Sequence, residues 1–451
     1  MSVAIFVNYL NASVTDRRYN NFMGSLFLHE FHHNLGARFR EVNGAEVVND
    51  YGDWPAEHAA LRESAGVLDL SFRGRTCLVG NDRVRFLHGQ VTNDVKKLAV
   101  GSGCYAALTT AKGKMEGDLN IFCLPDELLL DFEPGLTGKV SQRLENFIVA
   151  DDVQIVDATP YYGLLSVQGP KAEAVIRTIG LFGWGERLSG RSQAKADPRE
   201  PLAQTNPDGS SVTSPHQFPT KPFDSVKISD ATLGEIYLMN QPRLGTGRSR
   251  GDEAHFKVGN KSETPHVVSY NFEKSTRGFD LFVPNNSLGA VADKLIAAVK
   301  QVGGRACGWQ AFETARIEAG IPRFGVDLDE TNLPLECGPA VRDRAVSYSK
   351  GCYIGQEVIN RVHSFGHVTK ELRGLRLAGD LKSLPQRGDK LFHNGRDIGY
   401  ITSVVKSPSL NANIALGYVR REANQIGTEL KLRTATGESL AKIVELPFVK
   451  W

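Results

Sequence analysis

The sequence predicts an α+β chain that ends in a small antiparallel β-barrel, and three observations carry that prediction. Between about residues 41 and 368, strand-like and helix-like runs follow one another without the regular alternation of a parallel sheet. After Thr369 the pattern changes to evenly spaced short strands and turns: LRGLRLAG, GDKLFHNGRDIGYITSV, IALGYVRREA, TELKLRT and SLAKIVELP. From about Glu186 to Thr264 the composition turns abruptly to Ser, Pro, Gly, Asn and charge, which divides the α+β part in two.

The elements follow in order. EHAALRESAGV, from Glu57 to Val67, has helical spacing with Leu61, Ala65 and Val67 inward. Asp69–Val79 turns strand-like, and Asp82–Leu87 is a short helix. Tyr105–Phe122 holds two strand-like runs around the turn AKGK, where Gly113 supplies a permissive backbone. LLLDF is a short strand, Leu136–Phe147 an amphipathic helix, LLSVQGP a strand and KAEAVIRTIGLFG a helix with a glycine stop. Within the polar stretch, EIYLMN (Glu235–Asn240) is a strand-like island. Order resumes at FDLFVP, then a helix in NSLGAVADKLIAAVKQVG and a second helix over Trp309–Glu318. The expected divisions are an irregular N-terminal appendage at 1–40, a first half at 41–185 and a largely disordered insertion at 186–266. A second half at 267–368 and the barrel at 369–451 complete the chain.

With 53 basic and 51 acidic residues among 451, the formal charge is +2, which excludes a strong global field for nucleic acid or an anionic membrane. No run approaches the ~20 apolar residues of a membrane helix. Met1–Leu10 lacks a basic flank and a small-residue cleavage site, so neither a secretory signal nor a membrane partner is expected. The six cysteines, Cys77, Cys104, Cys123, Cys307, Cys337 and Cys352, include no C-x-x-C pair, which suits a reducing compartment with mostly buried thiols.

The most informative segment is SKGCYIGQEVINRVHSFGHVTKELRGL, Ser349–Leu375. Gly351 and Gly355 bracket Cys352, Lys350 is adjacent, and Arg361, His363 and Lys370 follow. A nearby cation favours thiolate over thiol, while Glu357 stands where a helix begins. The alternative is a small buried cysteine packed in a turn. The other five cysteines sit in strand-like or apolar runs, so Cys352 is expected to be the most reactive thiol. HEFHH at His29–His33 satisfies H-E-x-x-H, but its flanks are not an apolar helix and no third ligand is identifiable, so zinc chemistry is not expected. RGD at Arg250–Asp252 is read as chance, and GTGRSRG at Gly245–Gly251 lacks the strand–loop–helix frame of a phosphate loop.

KGCYIGQE resembles the K-G-C-[FY]-x-G-Q-E signature of the YgfZ-type folate-binding proteins, relatives of the glycine-cleavage T-protein linked to assembly or repair of iron–sulfur proteins. Other runs resemble the T-protein superfamily: RIEAGIP with LPLECG, STRGFDLFVP, VQGPKA and LTTAKGKMEGDLNIF. The likeness covers about Ala45–Leu181 and Phe272–Pro447.

The resemblance implies a T-protein-like multidomain folate-binding fold, with the pocket between two discontinuous halves. It also implies tetrahydrofolate or a one-carbon derivative as cofactor. Lys350, Gly351, Cys352, Gly355, Gln356 and Glu357 map onto the motif, with Cys352 its functional thiol. Asp280, Arg316, Asp118 and Phe279 are the implied folate-side residues: a carboxylate for the donor–acceptor edge of a pterin, an aromatic slot for its ring, and an arginine for the glutamyl carboxylates. Asp118 as a turn or edge-strand residue, and Arg316 as a surface partner of Glu313, are the plain alternatives.

The chain departs from the T-protein enzymes in Gly117-Asp118, where they carry D-D, and in Thr276-Arg277-Gly278, where they carry E-D-G. The reading implied is folate-dependent assistance to iron–sulfur proteins or their assembly factors. Its rivals are an aminomethyl or one-carbon transferase using Asp118 with a lipoyl carrier protein, and a protein that only binds folate. The compartment implied is the bacterial cytoplasm, or the mitochondrial matrix in a eukaryote.

Overall fold

The computed structural model of the protein describes residues 24–180, 218–230, 232–241, 243–244 and 278–449. The N-terminal 23 residues, most of the expected insertion, RGD, GTGRSRG and Thr276-Arg277 lie outside the described residues. No helix among the described residues is long and apolar enough to cross a membrane.

The described chain opens on α1 (His29–Asn34), then β1 (Arg38–Val42) and β2 (Ala45–Asp50), an antiparallel pair. The expected irregular appendage at 1–40 is therefore corrected from Gly24 onward. Leu26 and Leu28 are buried, and the His32 ring bonds Asp69 on one nitrogen and the Tyr51 hydroxyl on the other, both at 2.9 Å. A buried, doubly bonded histidine is a structural tie, and its partners are too distant in sequence to be read there. Helix α2 (Trp54–Glu63) begins at Asp53, whose carboxylate accepts from Ala56 N at 3.2 Å, with a proline in its first turn.

Two sheets form the body. One contains β3 (Gly66–Asp69), β9 (Tyr162–Gln168), β10 (Ser225–Asp230), β11 (Gly234–Asn240), β12 (Gly278–Pro284) and β13 (Arg305–Ala306), in the order β10-β11-β12-β9-β3-β13. The other contains β4 (Gly74–Val79), β5 (Ser102–Thr109), β6 (Met115–Cys123), β7 (Leu128–Phe132) and β8 (Gln154–Asp157), in the order β5-β6-β7-β4-β8. Each has an outer core under helices. Helices α5 (Ala172–Thr178) and α6 (Asn285–Gln301) cover the first sheet, and α3 (Arg83–Gln90) and α4 (Thr137–Glu145) cover the second. The inner faces share a third core with α7 (Trp309–Glu318).

Of the expected insertion at 186–266, only 218–230, 232–241 and 243–244 lie among the described residues, and there the strand-like island EIYLMN is one arm of the hairpin β10–β11. Alternation along EIYLMN sends Ile236 and Leu238 to the helix-covered side and Tyr237 and Met239 to the inner side. That buried area offsets the entropy of ordering the hairpin.

The C-terminal domain is a closed barrel, β14-β17-β16-β15-β18-β19, as its spaced short strands predict. It comprises β14 (Lys370–Leu377), β15 (Lys390–His393), β16 (Arg396–Ser407), β17 (Ala412–Arg420), β18 (Glu429–Thr434) and β19 (Gly437–Val444). It packs on the end of α7 through Ile317, Leu372, Ile414, Leu416 and Tyr418.

Helices α8 (Pro339–Ala345) and α9 (Gln356–Phe365) join body and barrel. At the start of α9, Gly355 has φ +89°, and a Cβ there would meet Thr110 O at 2.6 Å. Gly355→Ala is therefore expected to cost about 1–3 kcal/mol of stability. Chemical denaturation checks this, and an unchanged midpoint would contradict it.

Candidate functional site

Between the two sheets lies a cleft lined with charge. Its walls are Arg73, Tyr105, Asp118, Asn120 and Glu133 from the second sheet, Gln241 and Arg243 after β11, and Phe312, Arg316 and Arg323 around α7. Arg344 on α8 completes it, and the open space is about 90 Å³. Strand alternation decides which side chains face inward. On β6, Leu119 and Ile121 join the helix-covered core, while Asp118 and Asn120 face the cleft.

A continuous ionic network holds these groups. Arg73 donates to Asp131 Oδ1 at 2.8 Å and Glu133 Oε1 at 2.5 Å. Arg323 bonds Glu133 at 3.0 Å and Glu313 at 3.1 Å. Arg316 bonds Glu313, Asp327 Oδ2 at 2.6 Å and Ser403 Oγ at 2.8 Å. Arg243 reaches Asp131 at 3.0 Å and pairs with Asp280 at 2.5 Å. Against the burial penalty, the guanidiniums of Arg243 and Arg73 hold Asp131 well below the usual carboxylate range. Burial, with Asp131 adding to it, raises Asp280 despite Arg243.

Asp118 is different. It accepts from the Tyr105 hydroxyl at 2.7 Å and pairs with no cation among the described residues. Burial, aided by the Glu133 charge, pushes its pKa up to about 6. The Arg344 guanidinium lies 5.2 Å from the Tyr105 ring centroid and 5.8 Å from that of Phe223, without an ion pair among the described residues; burial lowers its pKa. Gln241 Oε1, Arg243 Nε, Arg323 Nη2 and Arg344 Nε are buried without a hydrogen-bond partner.

Of the folate-side residues expected from sequence, Asp118 stands in the cleft and Asp280 just behind it, capped by Arg243. Phe279 is corrected. It is fully buried on the opposite face of β12, against Phe218 and the α5–α6 core, because neighbours on a strand point to opposite sides. Arg316 is corrected as well. It borders the cleft, but its Nη atoms are held by Glu313 and Asp327, so its main part is a buried clasp, and only its Nε is buried without a partner. Sequence reading missed Arg73, Tyr105, Glu133, Gln241, Arg243, Arg323 and Arg344. A signal existed in LLLDFE, where acids interrupt an apolar strand.

The KGCYIGQE loop lies outside the cleft lining. Lys350 Nζ donates to the carbonyls of His88, Val91 and Asn93 at 2.5, 2.6 and 2.9 Å, and burial lowers its pKa to about 8. Its charge therefore serves the C-terminal end of α3, which corrects the expectation that Lys350 activates Cys352. Gly351 borders His88, Gly355 caps α9, Gln356 reaches back to Gly351 O at 3.4 Å, and Glu357 is exposed in the first turn. Cys352 is exposed, whereas the other five cysteines are buried. Asn93 ties the loop to the cleft: its carbonyl accepts from Lys350, and its amide donates to the carbonyls of Tyr105 and Arg344.

Comparison with known proteins agrees with this architecture. The GCVT N-terminal domain model matches residues 28–181 and 267–347, and the glycine cleavage T-protein C-terminal barrel model matches 370–450. The aminomethyltransferase of Bacillus subtilis is 26% identical over 426 residues, covering 94% of this chain and 98% of that one. That of Shouchella clausii is 25% identical over 424 residues, covering 94% and 97%. The solved glycine cleavage system aminomethyltransferase T from Bartonella henselae superposes with a TM-score of 0.72 at 20% identity, covering 95% of this chain and 98% of that one. With two discontinuous segments forming the body, a closed barrel behind them, and family models matching both, this chain belongs to the glycine cleavage T-protein family.

Proposed function

We propose that the protein binds a reduced folate, tetrahydrofolate or a one-carbon derivative, in the Asp118 cleft and assists assembly or repair of iron–sulfur proteins through Cys352. The folate part rests on the orphaned groups around Asp118. Gln241 Oε1, Arg323 Nη2 and Arg344 Nε are buried without partners, and a ligand bearing both amide-like edges and carboxylates matches that donor and acceptor set. Small-molecule sites run to several hundred Å³, so a folate enters this 90 Å³ cleft only as side chains withdraw. Arg344, lying over the rings of Tyr105 and Phe223, is the side chain placed to move. Bound folate supplies a one-carbon acceptor or donor. The chain's own part is to orient it and to hold or release a proton on Asp118.

The thiol part rests on Cys352, an exposed cysteine in the KGCYIGQE loop. The rival reading, an aminomethyl transferase served by a lipoyl carrier protein, is favoured by the names of the curated relatives. Gly117 in place of an acid weighs against it.

Calorimetry with tetrahydrofolate is expected to show saturable binding. Arg344→Gln or Gln241→Ala should weaken it by about 1.5–3 kcal/mol, the cost of a lost hydrogen bond involving a charge or a buried partner. No saturable heat at millimolar ligand would sink the folate reading. Alkylation at neutral pH, read by peptide mass spectrometry, is expected to label Cys352 before the other five thiols, which burial shields. In a deletion strain, Cys352→Ser should lose iron–sulfur enzyme activity while the melting temperature stays unchanged. Full complementation by Cys352→Ser would leave folate binding or transfer as the function.

A further inference from the structure

A second cavity, larger than the Asp118 cleft, lies elsewhere in the fold. A groove of about 620 Å³ lies where the motif helix meets the barrel, lined among others by Arg342, Tyr348, Val362, His363, His367 and Arg421. That is the size of a small-molecule site. It is separate from the cleft because α8 stands between them: Ala340, Val341 and Arg344 line the cleft, whereas Arg342 and Asp343 line the groove. Helical spacing places those two sets on different faces of one short helix.

The charges inside the groove are largely spent. Glu371, buried, accepts from Arg342 Nη1 at 2.9 Å and Asn424 Nδ2 at 3.2 Å and pairs with Arg373 Nη2 at 3.0 Å. Arg342 also donates to Asp343 at 3.0 Å. Two carboxylates are thus met by two guanidiniums and an amide. Arg421 and His367, both exposed at the groove, have no hydrogen-bond, ion-pair or ring partner for their side chains among the described residues. The remainder of the lining is apolar or aromatic: Leu335, Val362, Val368 and the Tyr348–His363 pair, stacked at 3.8 Å between ring centroids.

We infer that this groove is a second ligand site, separate from the cleft, that takes an organic anion: a carboxylate or phosphate on an apolar or planar body. The anion faces Arg421, whose positive charge has no partner among the described residues, with the His367 ring beside it, and the body covers Val362, Val368 and Tyr348. An inorganic ion would leave that apolar surface wet, and a neutral hydrocarbon would leave Arg421 unanswered.

The experiment uses the full chain and the fluorescent aromatic anion 1-anilinonaphthalene-8-sulfonate. Saturable binding at one site is expected. Arg421→Ala combined with His367→Ala should weaken it at least tenfold, and Val362→Trp, which fills the groove, should abolish it. Arg396→Ala, an exposed barrel charge elsewhere, should leave it unchanged. With carbon-13 labelled histidines, the His363 and His367 resonances should shift at saturation while the buried His58 stays fixed. Displacement by benzoate against phenyl phosphate then separates a carboxylate from a phosphate ligand. Absence of saturable binding, insensitivity to both groove variants, or loss on Arg344→Gln in the cleft would each overturn the proposal. Because folate binding is read separately by calorimetry, its failure and the failure of this site are distinguishable.

Discussion

Arg316→Ala is expected to destabilise the protein by about 3–5 kcal/mol, the usual loss when one member of a buried ionic cluster is removed and its partners are left charged. Arg316 is 1% exposed and bonds Glu313, Asp327 and Ser403. Through Ser403 on β16 and Asp327, which also accepts from Thr402, it joins α7 of the body to the barrel. Removing it leaves Asp327, fully inside, with only Thr402 and the Arg323 backbone as donors. Chemical denaturation measures the loss. Arg316→Lys should recover part of it, since a point charge replaces the fork but not its geometry. Were Arg316→Ala to unfold at the wild-type denaturant concentration, the clasp would contribute nothing and a ligand-facing role for Arg316 would return.

Asp118→Asn is expected to stabilise the protein at alkaline pH and to have little effect in acid. In the unfolded chain Asp118 titrates at the ordinary carboxylate value of 3.8, and in the native state at about 6. Below pH 3.8 both states hold the proton. Between 3.8 and about 6 only the native state does, and above that the native state carries a buried carboxylate with no cationic partner among the described residues. The stability this site supplies is therefore complete in acid and lost as pH rises through 6. At about 1.4 kcal/mol per pKa unit the loss approaches about 3 kcal/mol by pH 8. Asp118→Asn keeps an acceptor for the Tyr105 hydroxyl and carries no charge, so its advantage should grow from near zero at pH 4 to about 2–3 kcal/mol at pH 8. Unfolding free energies of the two proteins across that range test it. A difference that does not vary with pH would mean that Asp118 titrates normally.

Taken together, the two results would divide the cleft's charges by role. Arg316 belongs to a closed account of ion pairs holding body and barrel, while Asp118 and Arg344 remain uncompensated. Those two are linked to the motif loop through Asn93, which bonds the carbonyls of Tyr105 and Arg344 and accepts from Lys350. The loop carrying Cys352 and the cleft thus share a support without sharing a cavity.

What the sequence alone determined here was local. The strand at LLLDF and the helix over Trp309–Glu318 appear with the bounds their periodicity predicts, and the barrel follows from its spaced short strands. The start of α9 was legible, since Glu357 stands in its first turn; α2 instead runs over Trp54–Glu63 rather than Glu57–Val67, with Val67 already in β3, because its Asp53 cap lies outside the apolar repeat. The exposure of Cys352 was legible from its glycine-flanked turn, but the source of its environment was not. Lys350 is adjacent in sequence, yet its ammonium is held by three carbonyls more than 250 residues away.

Tertiary structure decided the rest, because which face of a strand is wet depends on what covers it. FDLFVP is buried on both sides, so nothing in its pattern told that Asp280 turns to Arg243 behind the cleft and Phe279 away from it. VKISD and EIYLMN order as a hairpin because β12 offers them an edge, a partner invisible in their own polar surroundings. Arg316 and Asp118 likewise acquired opposite roles from neighbours brought together by folding: the first met two carboxylates, and the second met only a tyrosine hydroxyl.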